Sequence, residues 1–60
     1  MSNHKYYELL IMQEISDQKE IFFNYCNICK QLKISQDPIA IAKHESIIQI
    51  LEKLLQIIQA

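Results

Sequence analysis

One short segment, residues 35–38, constrains the fold of this chain most, because it holds the only proline in a sequence without glycine. Asp37 is a preferred N-cap residue, since its carboxylate can accept a hydrogen bond from a free N–H of the first helical turn. Pro38 suits the first helical position, where its fixed φ fits and an N–H is not needed. A helix is therefore predicted to begin at residue 38, separate from everything before it.

The segment before this junction has the periodicity of an amphipathic helix over residues 3–33. Its apolar residues recur three and four positions apart and so share one face. They are Tyr7, Ile11, Ile15, Phe22, Tyr25, Cys26, Cys29 and Leu32. Five polar residues, 16–20, interrupt this stripe, and Asp17 with Glu20 could form a capping box there. Because this stretch has neither Gly nor Pro, we predict one continuous helix; the alternative is a three-helix arrangement with a break near residues 16–17.

The second helix is predicted over residues 38–59, after a turn at 34–37. Its apolar residues cover about half of the helix circumference, nearly twice the ~100° stripe that a single neighbour can cover. A short connection makes the two helices antiparallel. The sequence therefore predicts an all-α, single-domain helical hairpin that dimerises into a four-helix bundle. The predicted dimer core is Ile47, Ile50, Leu51, Leu54 and Ile58.

Reflection of the chain about residue 36 predicts how the two helices pair. Phe22 should meet Ile50, and Cys29 should lie near Lys43 and His44. The predicted core comprises Ile11, Ile15, Phe22, Cys26, Cys29, Leu32, Ile47, Leu51, Leu54 and Ile58. Gln18 falls inside the apolar stripe, where a buried amide can fix helix register and oligomeric state. Two interpretations stay open: Gln18 bonds to its symmetry mate in a dimer, or it lies at an exposed boundary.

The sequence offers no arrangement of residues for catalysis. Without glycine the chain cannot form a phosphate-binding loop, and no Ser-His-acid arrangement is apparent. His44 has Glu45 beside it in sequence, but adjacent helical residues point about 100° apart. We therefore expect a protein that is not an enzyme and that needs no cofactor.

Cys26 and Cys29 form the one motif that suggests a metal site. Together with His44 they would supply three ligands of the types that zinc uses, whereas a structural zinc site has four. Both cysteines are predicted in mid-helix, where small core residues are the preferred interpretation. A metal or thiol sensor is therefore kept only as a second alternative function.

Surplus apolar surface without catalytic groups predicts a small adaptor, inhibitor or regulator that binds another protein through a helix face. Aromatic residues are enriched at binding hot spots. The predicted partner-binding residues are Tyr6, Leu9 and Phe23, which lie off the main apolar stripe, and Tyr7, which lies on the stripe near the start of the first helix. The predicted partners are thus a second copy of the chain and another protein.

RNA binding is the first alternative function. The length and hairpin plan resemble those of the repressor-of-primer protein of plasmids, whose dimer is a four-helix bundle that holds paired RNA loops. No motif is shared. The resemblance implies an RNA-binding surface, for which the candidate lysines are Lys5, Lys19, Lys30 and Lys33. A net charge of −1 and the absence of Arg argue against nucleic acid as a partner.

The composition also gives expectations about location. No apolar run approaches the roughly 20 residues of a membrane span, so we expect no membrane partner and a cytoplasmic location. Twelve Ile and seven Gln, with no Arg, Gly, Val, Thr or Trp, indicate an AT-rich coding sequence. This composition is typical of a low-GC bacterium or of a mobile element.

Overall fold

The computed structural model describes residues 3–60, and two helices account for most of this range. Helix α1 spans Asn3–Leu32 and helix α2 spans Pro38–Gln59. They form an antiparallel hairpin whose Cα atoms extend over 50 × 16 × 9 Å. Residues 3–60 contain no strand. The predicted all-α helical hairpin is confirmed.

Helix α1 runs without a break through the polar segment 16–20. Two side-chain hydrogen bonds connect successive turns here: Gln13 Nε2 donates to Asp17 Oδ1 at 2.9 Å, and Gln18 Nε2 donates to Glu14 Oε2 at 2.8 Å. Such pairs four residues apart stabilise a helix by about 0.2–0.5 kcal/mol each. The polar segment therefore supports the helix, and the alternative break near residues 16–17 is wrong.

Helix α1 ends in a Schellman motif. The Ile34 N–H donates to the Cys29 carbonyl at 3.0 Å, and the Lys33 N–H donates to the Lys30 carbonyl at 3.3 Å. Lys33 adopts φ 57°, the left-handed conformation that this motif requires and that glycine usually supplies. In a chain without glycine, a lysine takes this position at a cost of about 1–2 kcal/mol.

Helix α2 begins where the sequence predicts. Asp37 is extended (φ −73°, ψ 122°), and its Oδ1 accepts a hydrogen bond from the Ile39 N–H at 3.0 Å. The Asp37 carbonyl accepts the first intrahelical bond, from the Ile41 N–H at 3.1 Å. Pro38 occupies the first turn, where its missing N–H costs nothing. The N-cap therefore fixes the start of α2 by local chemistry alone.

The pairing of the two helices differs from the prediction. The Phe22 ring stacks on the His44 imidazole, with centroids 4.2 Å apart and planes 8° apart, so Phe22 is not the partner of Ile50. The shift is six residues along α2, or about 9 Å. The prediction gave every residue an equal rise, but a non-helical residue covers about 3.3 Å and a helical one 1.5 Å. The extended linker therefore carries the start of α2 farther back along α1 than an equal rise per residue predicts.

The hairpin encloses little core of its own. Among the described side chains only Ile11 and Cys29 are buried, with 8 % and 3 % of their surface exposed. Five other predicted core residues are half-buried between the helices: Ile15, Phe22, Cys26, Leu51 and Ile58. Leu32 is 64 % exposed because α1 extends past the start of α2, so it lies outside the core of the hairpin. Ile47 and Leu54 are also exposed, and their place in a dimer core stays a prediction.

Candidate protein-binding surface

Two helices side by side form a single layer with two broad faces. On one face, a groove between the helices is lined by residues that include Ile21 and Ile47. A second groove, lined by residues that include Tyr7, Leu10 and Leu54, continues along the same sides of both helices. We call this side of the hairpin the groove face. Its residues come from both helices, so the hairpin must form before the face exists.

The groove face carries two apolar strips that the hairpin leaves uncovered. Each strip repeats at spacings built from three and four residues, so its members share one side of a helix. The α1 strip is Tyr7, Leu10, Ile21, Ile28 and Leu32, and the α2 strip is Ile39, Ile47, Ile50, Leu54 and Ile57. Every one of these ten side chains is at least 40 % exposed. So many exposed apolar side chains on one face are typical of an interaction site.

The opposite face mixes charged and apolar side chains. A shallow groove on that side is lined by Lys19 of α1 and by Glu45, Ile48 and Gln49 of α2. We call it the charged face, since a cation and an anion border the same depression. The two faces therefore differ in chemistry although the same pair of helices builds them.

The five predicted dimer-core residues share one side of α2. Ile47, Ile50 and Leu54 are exposed on the groove face. Leu51 and Ile58 are half-buried and line the same groove as Leu54. The structure thus brings these five together, and nothing within residues 3–60 covers the first three.

The four predicted partner-binding residues are all exposed but do not form one surface. Tyr7 borders the groove face, and its ring contacts that of Tyr6 edge-on, with centroids 5.4 Å apart. Leu9 and Phe23 are 53 % and 63 % exposed and lie on the side of α1 away from the groove face. They are 14 residues apart, about 21 Å along the helix. We call the side of α1 with Tyr6, Leu9 and Phe23 the outer edge.

The closest ring contact between the helices, the Phe22–His44 stack, was not predicted from the sequence. His44 is half-buried there, in a position that the wrong register assigned to Ile50. A signal was present in α2, because one run repeats every three and four residues and includes the histidine. This run is Ile41, His44, Ile48, Leu51, Leu55 and Ile58, and all six are half-buried. It marks the side of α2 that packs on α1.

The candidate metal ligands are not brought together. The His44 ring lies on Phe22, seven residues before Cys29, which is about 10 Å along α1. Within residues 3–60 no group of three or more His, Cys, Asp or Glu side chains is arranged to hold a metal ion. Cys26 is half-buried and Cys29 buried, and both are free thiols. Their positions fit the interpretation as small core residues.

Tyr25 ties the linker to α1. Its Oη accepts a hydrogen bond from the Asp37 N–H at 2.6 Å, and its ring lies 5.9 Å from that of Phe22. The Asp37 N–H lowers the pKa of Tyr25, but desolvation and the neighbouring Cys29 and Asp37 raise it more. The pKa of Tyr25 therefore lies above its ordinary value of 10.0. The hydrogen bond joins the residue that caps α2 to a side chain of α1 twelve residues earlier.

Comparison with protein-family models, with curated proteins and with solved structures gives no significant match. Within the described residues, neither helix is long and apolar enough to cross a membrane.

Proposed function

We propose that this chain is a small non-enzymatic adaptor, inhibitor or regulator that acts by binding another protein through an exposed helix face. One observation carries the proposal. Among the described residues, fifteen large apolar side chains are at least 40 % exposed, whereas only two apolar side chains are buried. Large exposed apolar surfaces are rare on monomeric proteins and mark interaction sites.

Homodimerisation is part of this proposal, and the dimer would bind the partner protein. The ten apolar residues of the groove face suit self-association. The outer edge of α1, with Tyr6, Leu9 and Phe23, then stays free for the partner. Tyr7, the fourth predicted partner-binding residue, lies where the outer edge meets the groove face, and its ring contacts that of Tyr6. Aromatic side chains contribute large contact areas at hot spots. The two free thiols agree with a reducing compartment, and we place the protein in the cytoplasm.

The test is affinity capture with the full chain and a variant of the outer edge. The double substitution Leu9→Ala and Phe23→Ala removes two exposed side chains and should leave helicity unchanged. Hot-spot truncations cost about 2 kcal/mol or more, so binding of the captured protein should weaken at least about 10-fold. A matched control, Asn24→Ala with Asn27→Ala, changes two exposed polar residues of α1 and should retain the partner.

Two results would contradict the proposal. In the first, the double apolar variant and the polar control retain the same proteins to the same extent. In the second, the double apolar variant loses helicity, which would show that Leu9 and Phe23 stabilise the fold and are not a binding surface. Circular dichroism of each variant before capture separates these two results.

RNA binding is an alternative proposal with one observation in its favour. Lys5, Lys19 and Lys30 lie within about 40° of one another around α1, at intervals of 14 and 11 residues. Against it, Glu45 lines the same groove as Lys19 and reduces the positive potential there. A basic surface that binds RNA should show steep salt dependence. Lack of RNA retention at low salt would eliminate this alternative.

A metal or thiol sensor has less support, because His44 stacks on Phe22 and does not join Cys26 and Cys29. A metal site that formed on folding would raise the melting temperature when zinc was added. Unchanged melting with zinc, with a chelator and with a reductant would eliminate this alternative.

A further inference from the structure

We propose that the groove face packs against the groove face of a second copy, with the two α1 helices antiparallel and with Gln18 and Ile47 beside the twofold axis. This arrangement rests on the homodimerisation proposed above and adds its geometry. The other possible occupant of the groove face is a different protein. Surface area, helix periodicity and polar residues each favour the second copy.

The area of the groove face matches what a stable dimer needs. The hairpin exposes 5027 Å², whereas a compact monomer of 7.1 kDa exposes about 4,100 Å². The Cα extents of 50 by 16 Å outline a face of about 800 Å², the area that each partner buries in an interface of standard size. Pairing two such faces would therefore remove the excess surface of both copies.

Helix α2 carries two neighbouring stripes, as a helix of a four-helix bundle does. One stripe, which runs from Ile41 to Ile58 and includes His44, is half-buried against α1. The other, the α2 strip of the groove face, is exposed. A bundle helix packs on two neighbours and needs one stripe for each. The missing neighbour is therefore a helix, and the hairpin is half of a bundle.

The Phe22–His44 stack fixes which residues of the two helices lie at the same height. It sets Gln18 level with Ile48. The α1 strip, from Tyr7 to Leu32, is centred near this height, and so is the α2 strip, from Ile39 to Ile57. A twofold axis that crosses the helices at this height sets each strip against the same strip of the second copy. Leu10 then faces Ile28 of the second copy, and Ile47 faces the second copy's Ile47.

The polar residues of the groove face select this arrangement. With the two α1 helices antiparallel, Gln18 faces Gln18 of the second copy. Each of the two side-chain amides can then donate a hydrogen bond to the other. Glu14 and Lys43, which both line the grooves, come to the same height on diagonally opposite helices of the bundle, one on each copy.

The competing arrangement places α1 of one copy over α2 of the other at equal height. In it, Glu14 faces Leu54 of the second copy. Lys43 of the second copy then lies about 13 Å from Glu14 along the bundle axis. This arrangement also sets Gln18 against the isoleucines near residue 48. Glu14 keeps its hydrogen bond from Gln18 of the same chain, but Lys43 is out of reach of its carboxylate. Burying a charge without a counter-charge is costly, so the competing arrangement is disfavoured.

The test uses the unmodified chain. Sedimentation equilibrium first measures the mass of the species in solution. A sample of equal parts isotope-labelled and unlabelled chain then gives an isotope-filtered NOE spectrum. Leu10 and Ile28 are 18 residues apart on one helix, about 27 Å, so an NOE between their methyl groups arises only across an interface. We expect a dimer that shows this NOE.

The negative results are distinguishable. A dimer in which the Leu10–Ile28 NOE is absent would overturn the arrangement while leaving homodimerisation intact. A chain that stays monomeric at all concentrations would overturn both, and the groove face would then bind a different protein.

Cross-linking gives a second measurement. In a background with Cys26→Ser and Cys29→Ala, checked for helicity, Ile47→Cys should oxidise rapidly to a covalent dimer, because a disulfide needs Cα atoms within about 7 Å. The matched control Gln49→Cys lies on the charged face and should cross-link far more slowly. Equal rates for the two variants would overturn the arrangement.

Discussion

The groove face and the charged face are built by the same two helices, yet they expose different chemistry. The groove face carries ten of the fifteen large exposed apolar side chains. The groove of the charged face is bordered by charged and polar residues together with one isoleucine: Lys19, His44, Glu45, Ile48 and Gln49. The hairpin therefore has enough apolar residues for a core but directs most of them away from its own interior. The comparison shows that the two-helix layer leaves most of its exposed apolar side chains uncovered on one face.

Geometry explains why one hairpin cannot cover its own groove face. In a two-helix layer each helix has one neighbour, which covers a stripe of roughly 100°. Only positions directly between the helices, such as Ile11 and Cys29, become buried. A second layer on the groove face gives each helix another neighbour and leaves the charged face in water. Changes on the two faces should therefore have unequal consequences.

The largest expected effect comes from a charge on the groove face. Ile50→Glu changes a side chain that is 64 % exposed in the hairpin and covered in the proposed dimer. An unpaired buried charge costs about 3–5 kcal/mol, so the dimer dissociation constant should rise at least about 100-fold. Sedimentation equilibrium measures this change. Gln49→Glu, the adjacent residue on the charged face, adds the same charge and should alter the constant less than about 3-fold. Equal weakening by both variants would remove the distinction between the faces.

The next effect compares two adjacent phenylalanines. Phe22 stacks on His44 between the helices, whereas Phe23 is 63 % exposed on the outer edge. Phe22→Ala should lower the free energy of unfolding by about 2–3 kcal/mol, somewhat less than for a fully buried ring. Phe23→Ala should change it by less than about 0.5 kcal/mol while it weakens partner capture. Urea unfolding at one fixed chain concentration makes the comparison, since the stability of a dimer depends on concentration. Similar losses for both variants would contradict the register of the hairpin.

The sequence predicts the fold better than the register, for a physical reason. Local chemistry at Asp37 and Pro38 marks the start of α2, and apolar periodicity marks both helices. The register depends on the path of the linker, which is set by the left-handed Lys33 and by the contact between Asp37 and Tyr25. That contact joins residues 12 apart and leaves no periodic signal.

The candidate surface shows the same limit. Exposure of Tyr6, Leu9 and Phe23 was predictable from their positions off the main stripe of α1. The groove face was not, because it needs the correct pairing of the two helices. Once Phe22 is level with His44, the exposed strip of α2 falls beside the exposed strip of α1.

A smaller effect concerns pH and the linker. Because the pKa of Tyr25 is raised in the folded chain, folding favours the neutral phenol. Its contribution to stability is fully present below about pH 10 and is lost as the pH rises through the folded-state pKa. The melting temperature of the natural chain should therefore fall more steeply above pH 10 than that of Tyr25→Phe. Tyr6→Phe is the control, since it removes a phenol at the outer edge, and its profile should follow that of the natural chain. Parallel profiles for all three chains would contradict a role for the Tyr25 phenol.

The smallest expected effect concerns the end of α1, outside the groove face. It separates the stability of the hairpin from the binding of a second copy to the groove face. Lys33→Gly places glycine at the left-handed position that ends α1 and should raise the free energy of unfolding by about 0.5–1 kcal/mol. Lys30→Gly removes the same charge but puts glycine inside the last turn of α1, where it should lower stability by about 1 kcal/mol. Thermal unfolding at fixed concentration gives both values. Since both sites lie outside the groove face, the dissociation constant of folded dimers should stay the same in the two variants. A dissociation constant that followed stability would mean that the hairpin folds only when its groove face is covered.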